Sequence, residues 1–332
     1  MSILQQLVQR AQSAPKRIVL TEGEDARILS AATQLTQDKV AEVTILGDEH
    51  IIQQRADELG LDLSGVQVIQ PANSPLREPL AELLFELRAK KGMTLEKALT
   101  LVDDPLWFAN LSVKAGHQDG VVSGAVYTTG DVVRTAIQVI GVDKAAKMIS
   151  SFFLMVFDKP HHTRQGSMIF TDCGLVIDPD AGQLSEIALA AATSYQTLTG
   201  DTPKVAMLSF STTGSGKHEQ VDKVAEATRQ VKAARPDLLV DGEVQLDAAV
   251  VPAIAAHKVK DSQIHGEANV LVFPSLEAGN IGSKLVERFA GAKAVGPMLQ
   301  GLQQPANDLS RGCNAEDVYY TAAVTVIQAQ TQ

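Results

Sequence analysis

Aromatic residues are scarce in this 332-residue chain, at 4%, which argues against platforms on which nucleobases or sugars stack. There are two cysteines, Cys173 and Cys313, far apart in sequence; they suit neither a zinc spacing nor a disulfide framework and read as reduced thiols. No run approaches the ~20 uninterrupted apolar residues of a membrane span. The N-terminal MSILQQLVQRAQSAPKR reads as a short amphipathic helix and lacks the apolar core of a signal peptide. Basic residues are the minority, 29 against 39 acidic, for a net charge of −10, so nucleic acid or an anionic membrane would bind against the field. HExxH, GxSxG and clustered carboxylates are missing. The expectation is a cytoplasmic protein with no nucleic-acid partner, no membrane partner and no metal. An anionic ligand must then be met by a local cluster of Arg, Lys and backbone amides.

What is present is an ordinary soluble composition, 45% apolar and 20% charged, in a chain long enough for about two domains. Short β-branched runs alternate with helical patterns: RIVLTE (17–22), AEVTILGD (41–48), VQVIQP (66–71), DGVVSGAV (119–126), SMIFTD (167–172), KVAMLSFS (204–211), DLLVDGEV (237–244), NVLVFPS (269–275) and AKAVGPML (292–299). Strands spaced by helices predict βαβ units and mainly parallel sheets, an α/β fold. The polar connection FDKPHHTRQGS (157–167) follows the apolar run SSFFLMVF, and a domain change is expected just before that run, near 145–150. Ligands in such folds sit at the carboxyl ends of strands, on loops leading into helices.

Four such loops carry candidate chemistry. In LQQPANDLSRGCNAEDVYYTAAVTVIQAQ (302–330), Asn314 fits an N-cap and Asp317 stands three residues on, so a capping box is one reading of Asp317. Ser310, Arg311 and Cys313 precede that helix, where backbone amides attract anions; they form either an oxyanion or phosphate site or an ordinary polar turn. In VVSGAVYTTGDVVRTAIQ (121–138) a helix is expected to start near Asp131. Arg134 then falls in its first turn and requires a bound anion or a salt bridge to Asp131. The Gly-rich loop SFSTTGSGKHEQ (209–220) fails as a Walker A loop, because His218 follows Lys217 where Ser or Thr belongs. It is a weaker phosphate cradle or a solvated turn. In FPSLEAGNIGSKLVERFAG (273–291), Glu277 and Asn280 are polar candidates, and His161 and His162 read as surface residues.

Taken together, NDLSRGCNAEDV (307–318), VSGAVYTTGDVVRTAIQVIG (122–141), VAMLSFSTTGSGKH (205–218), LLVDGEVQLDAA (238–249) and NVLVFPSLEAGNIGSKL (269–285) resemble the short form of the phosphotransacetylase (phosphate acetyltransferase) family, in order and over essentially the whole chain. The resemblance implies two doubly wound α/β domains with an interdomain cleft, similar to isocitrate and isopropylmalate dehydrogenases. It places a first domain at 1–146 rejoined by 297–332, and a second at 147–296. It also implies a homodimer and reversible transfer of an acetyl group between CoA and phosphate, with CoA as a substrate and no resident cofactor. Matched by motif, Asp317 is the general base, Ser310 and Arg311 hold the reacting carbonyl and phosphate, and Arg134 is a second arginine of the site. Arg88 is associated with CoA, and Ser123, Gly124, Thr128, Thr129, Lys217 and Asn280 fall in the substrate-binding motifs. Tyr127 departs from the smaller or more polar residue of many members.

The implied chemistry accounts for the residue types. A CoA thiol with a pKa near ~8.5 is mostly protonated at neutral pH, so a base that accepts its proton is worth about 10²–10⁴-fold. Donors aimed at the developing oxyanion give about 10²–10³-fold. Cys313 is the rival nucleophile, since a thiol at a helix N-terminus beside Arg311 is expected to have a depressed pKa. A propionyl or butyryl phosphate acyltransferase and a non-catalytic acyl-CoA-sensing domain are the alternative readings.

Overall fold

The structure is a computed structural model that describes residues 2–162 and 165–331. Thr163 and Arg164 of the expected 157–167 connection lie outside the described residues. The described chain divides into two compact units, 3–143 with 302–331, and 144–301. No described helix is long and apolar enough to cross a membrane.

The first unit holds a five-stranded sheet of β1 (Lys16–Leu20), β2 (Ala41–Leu46), β3 (Gln67–Ile69), β4 (Gly120–Ser123) and β11 (Ala306–Asp308), in the order β11-β4-β1-β2-β3. Every neighbouring pair is parallel. The apolar runs of the central strands are covered by helices. Ile18, Leu20, Ile45 and Leu46 are fully buried, as are Ile28, Leu29 and Leu35 of the helix Ala26–Gln37. Each such side chain contributes roughly 1.5–3 kcal/mol on burial. The last helix, Ala315–Gln330, packs on Ala26–Gln37, on Ile3–Ser13 and on β1 and β4. That packing carries the turn before it, 309–314, to the carboxyl end of the sheet.

The second unit has a six-stranded sheet of β5 (Ser150–Phe157), β6 (Gly166–Thr171), β7 (Lys204–Leu208), β8 (Leu239–Val244), β9 (Val270–Val272) and β10 (Lys293–Gln300), in the order β10-β5-β6-β9-β7-β8. β6, β9, β7 and β8 are parallel, whereas β5 and β10 are antiparallel additions at one side. SSFFLMVF, read above only as an apolar run, is β5. Most of its residues are buried on both faces, which erases the alternation that marks a half-exposed strand. β10 pairs with β5 along its length, so the return to the first unit comes at Leu302.

Local chemistry starts and stops these helices. Asp25 caps Ala26–Gln37 by accepting from the Arg27 N–H, and Asp104 caps Pro105–Lys114, with Pro105 supplying a fixed φ in the first turn. Asp180 and Gln183 form a capping box at the start of Ala181–Thr199.

Candidate active site

In the first unit the chain steps from β1 to β2 and β3 on one side, then crosses to β4 and β11 on the other. The loops after β1 and β4 diverge there, and such a switch point is where α/β sheets hold ligands. A depression of about 740 Å³ lies at that point, lined among others by Glu22, Asp25, Arg27, Arg55, Pro105 and Tyr127.

Two groups that the sequence reading passed over stitch the loops together. Glu22, just after β1, accepts from the backbone N–H of Gly124 at 2.8 Å and of Val126 at 3.2 Å through one oxygen, and from Thr21 Oγ1 at 2.7 Å through the other. Arg27 pairs with Asp25 at 2.7 Å. It also donates to the carbonyls of Ala125 (2.8 Å), Arg311 (2.9 Å) and Cys313 (3.2 Å). One guanidinium therefore ties the β4 loop to the turn after β11. Its hydrogen bonds hold the Asp25 carboxyl below the usual carboxylate range, and Asp25 in turn raises Arg27.

The turn after β11 presents Ser310, Arg311 and Gly312 to solvent and buries Cys313. Ser310 Oγ accepts from the Gly312 N–H at 3.3 Å, and the Ser310 carbonyl accepts from the Cys313 N–H at 2.8 Å. Asn314 and Asp317 form a full capping box: the Asp317 N–H donates to the Asn314 side chain at 3.0 Å, and the Asn314 N–H donates to Asp317 Oδ2 at 2.9 Å. The capping reading of Asp317 thus holds, and it fixes the carboxylate in the first turn of the helix. The expectation for Cys313 does not hold. Burial pushes the thiol up to about 11, with Asp317, Asp25 and Glu22 acting in the same direction and Arg27 opposing them. The neighbouring guanidinium is that of Arg27, 3.6 Å from the sulfur, and desolvation outweighs it.

On the other loop, Thr128 caps the helix Thr129–Val139 by accepting from the Asp131 N–H, and its hydroxyl donates to Asp131 Oδ2 at 2.7 Å. The helix starts two residues earlier than expected because Thr128 is the cap. Arg134 accordingly sits in the second turn, where the helix dipole has faded, and it pairs with Asp131 at 2.9 Å with both side chains well exposed. Ser123 ends β4 and is buried. Gly124 has φ +111°, and an added Cβ would meet Leu309 N at 2.7 Å, Leu309 O at 2.8 Å and Asp308 Oδ1 closer still. Thr129 Oγ1 donates at 2.6 Å to Asp308, a fully buried carboxyl that sequence reasoning missed.

Ser123, Gly124, Thr128, Thr129, Arg134, Ser310, Arg311 and Asp317 are thus gathered on two neighbouring loops of the first unit. Arg88 ends the helix Arg77–Arg88, half-buried, and among the described residues no side-chain hydrogen bond or ion pair joins it to either loop. Lys217 and Asn280 belong to the second unit. Lys217 is exposed in the loop after β7, and Asn280 is spent on the backbone, donating to the Cys173 carbonyl at 3.0 Å. Tyr127 is half-buried and donates to Asp104 Oδ2 at 3.2 Å, with burial and Asp104 raising its hydroxyl. Among the described residues no three His, Cys, Asp or Glu side chains gather as a metal site.

Known proteins resemble this chain over nearly its whole length. The family model described as phosphate acetyl/butaryl transferase matches residues 2–326. The phosphate acetyltransferase of Clostridium acetobutylicum is 46% identical over 330 residues, covering 99% of each chain. Among solved structures, a phosphotransacetylase from Streptococcus pyogenes superposes with a TM-score of 0.92 at 40% identity, covering 99% of this chain and 98% of that one. The EutD phosphotransacetylase of Staphylococcus aureus does so with a TM-score of 0.89 at 43% identity, covering 98% of both. The chain belongs to the phosphate acetyl/butaryl transferase family: it is an acyltransferase, and its activity is that of a phosphate acetyltransferase.

Proposed function

We propose that this activity runs by direct attack in a ternary complex, with acetyl as the preferred acyl group and with no resident cofactor or metal. In the direction of acetyl-CoA synthesis, Asp317 takes the proton of the CoA thiol. The thiolate adds to the carbonyl carbon of acetyl phosphate, and Ser310 donates to the oxyanion that develops. The bond from carbon to the phosphate oxygen then breaks, and phosphate leaves against Arg311 and Arg134. The single observation that carries this reading is the stitching of the Ser310–Asp317 segment to the β4 loop by Arg27 and by the Thr129–Asp308 hydrogen bond. It gathers a base, hydroxyls and guanidiniums at the carboxyl end of one sheet. An Arg about 4 Å from a phosphate supplies on the order of 4 kcal/mol of gross attraction at an effective dielectric of 20, before desolvation. The raised Cys313 thiol argues against an acyl-cysteine route.

Phosphate-dependent release of CoA from acetyl-CoA, run beside propionyl-CoA and butyryl-CoA without added metal, tests the reaction. Release fastest with acetyl-CoA is expected, and a butyryl preference would move the substrate while keeping the mechanism. Asp317→Asn keeps the cap and loses the base. It should lower kcat by about 10²-fold or more with little change in KM; parent-like kcat would leave Asp317 as a cap alone.

We further propose that the protein acts in the cytoplasm as a homodimer. Supporting the dimer, Ile281, Leu285 and Phe289 recur every fourth residue along Leu276–Leu285 and the turn that continues it, exposed by 59%, 50% and 86%. Light scattering should give a dimer mass that Phe289→Asp converts to monomer; a monomeric parent would refute the proposal.

A further inference from the structure

Asp308 is the buried ionisable group that the proposed reaction leaves unused. It ends β11, and the strand register sets it opposite Ser123, the last residue of β4. Its side chain is fully buried. Oδ2 accepts from Thr129 Oγ1 at 2.6 Å, at the first residue of the helix that carries Arg134. Oδ1 is buried without a hydrogen-bond partner among the described residues, as is the hydroxyl of Ser123 across the strand pair. The backbone of Gly124 packs directly on that oxygen, in a space a Cβ would close. One residue beyond Asp308, Leu309 donates its N–H to the Ser123 carbonyl at 2.7 Å, and Ser310 and Arg311 follow.

We propose that Asp308 is a positioning residue for acyl transfer: through Thr129 and the backbone of Gly124, it sets the spacing between the Ser310–Arg311 turn and the start of the helix Thr129–Val139. The inference rests on the mechanism proposed above and deepens it. A carboxyl with one satisfied and one unsatisfied buried oxygen is poised to keep its proton, and burial, assisted by Glu22, lifts Asp308 to about 7 against the Thr129 hydroxyl and the Leu309 N–H. Glu22, on the loop after β1, is the charged group that acts on it; of the helices packed against β11, Thr129–Val139 carries Asp131 and Arg134 and the final helix carries Glu316, Asp317, Tyr319 and Tyr320, while Arg311 and Cys313 stand on the turn between β11 and that helix. β4 brings no titratable side chain. In the protonated form the site presents one fewer negative charge to phosphate. Ionisation leaves an unsolvated anion that pushes on Glu22, on the loop Glu22 holds and on the incoming substrate.

The test compares steady-state acetyl transfer by the parent, Asp308→Asn, Asp308→Ala, Thr129→Val and the Ala/Val double variant, each at a temperature where it is folded by circular dichroism. Thr129→Val is expected to lose at least tenfold in kcat/KM, and the double variant to be no worse than Asp308→Ala. The ratio of Asp308→Asn to parent kcat/KM for phosphate should rise at least fivefold from pH 6 to pH 8. Taking the ratio cancels the titration of phosphate itself. Thr129→Val within twofold of the parent, strict additivity in the double variant, or a flat ratio would each overturn the proposal. Should Asp308→Ala fail to fold, Thr129→Val and Asp308→Asn decide it. An inactive parent would instead refute the reaction itself.

Discussion

Gly124→Ala tests how closely the β4 loop packs on the turn after β11. Two effects add. At φ +111° an alanine is in a region that L side chains rarely adopt, a strain of roughly 1–3 kcal/mol. Its Cβ would then lie 2.7 Å from Leu309 N and 2.8 Å from Leu309 O, and closer still to Asp308, all well inside ordinary contact. Relieving that overlap needs a shift approaching ~1 Å between the two loops, and overpacking of this kind costs roughly 1–3 kcal/mol more. The combined loss of about 2–6 kcal/mol should lower the first unit's melting point by roughly 4–24 °C. A ~1 Å misplacement of catalytic groups costs about 10²-fold in rate, so kcat/KM at 25 °C should fall by about that factor in molecules that are still folded. Gly60→Ala is the control. Its φ is +66°, it caps the helix Glu49–Leu59, and nothing lies within 4 Å of an added Cβ, so it carries the backbone strain without the clash. Circular dichroism melts and the CoA-release assay on both variants give the answer. Gly124→Ala with parent kinetics, or with no greater loss of stability than Gly60→Ala, would refute the packing argument.

Three further outcomes are expected. Cys313→Ala should keep activity within about threefold, and in the parent Cys313 should react with iodoacetamide at pH 7 on the order of 10²-fold more slowly than an exposed thiol; rapid labelling would contradict its burial and raised pKa. Arg27→Met preserves the aliphatic packing but drops the bonds to Ala125, Arg311 and Cys313 and leaves Asp25 unpaired, so stability should fall by about 2 kcal/mol and kcat by tenfold or more; intact kcat would show that the loops hold without it. For Asp308 the pKa in the folded state lies above the unfolded value of about 3.9, so the folded protein keeps a proton that the unfolded chain releases. Its contribution therefore worsens from about pH 4 to pH 7 at up to ~1.4 kcal/mol per unit and is level above that, and Asp308→Asn should gain on the parent by about 2–3 kcal/mol between pH 5 and pH 7.5 in urea unfolding; parallel curves would contradict the burial assigned to the carboxyl.

The sequence makes the α/β class legible because central parallel strands such as Ile18–Leu20 and Val43–Leu46 are short apolar runs between helical patterns. Two strands escape that signal for opposite reasons. β5 is eight residues buried on both faces, so nothing in it alternates, and β11 is three residues, too short to carry a period. β11 matters most to the site, since it brings the 308–317 segment beside β4. The exposed candidates, Ser310, Arg311 and Arg134, were readable from residue type and position before a helix. Glu22, Arg27 and Asp308 were not, because their partners lie 102, 284 and 179 positions away and only the strand order β11-β4-β1 makes them neighbours.

That same strand order resolves an electrostatic difficulty. On the proposed mechanism a chain of net charge −10 must draw a phosphate to loops that hold Glu22, Asp25, Asp131, Asp308 and Asp317. Each of these carboxyls is committed locally. Glu22 takes the N–H groups of the β4 loop, Asp25 takes Arg27, Asp131 takes Thr128 and Arg134, and Asp317 takes the cap of the final helix. Asp308 answers by burial, which favours its neutral form. Among the described residues no carboxylate pairs with Arg311, which stands exposed on the turn that Arg27 holds by its carbonyl. In the proposed mechanism Asp317 alone of these carboxyls does chemistry and the other four are scaffold, so the attraction for phosphate falls to Arg311, with Arg134 shared with Asp131. That is why, on this mechanism, the loops need bonds as specific as those of Arg27 and Asp308: what they position is an exposed Arg311 that no neighbouring carboxylate cancels.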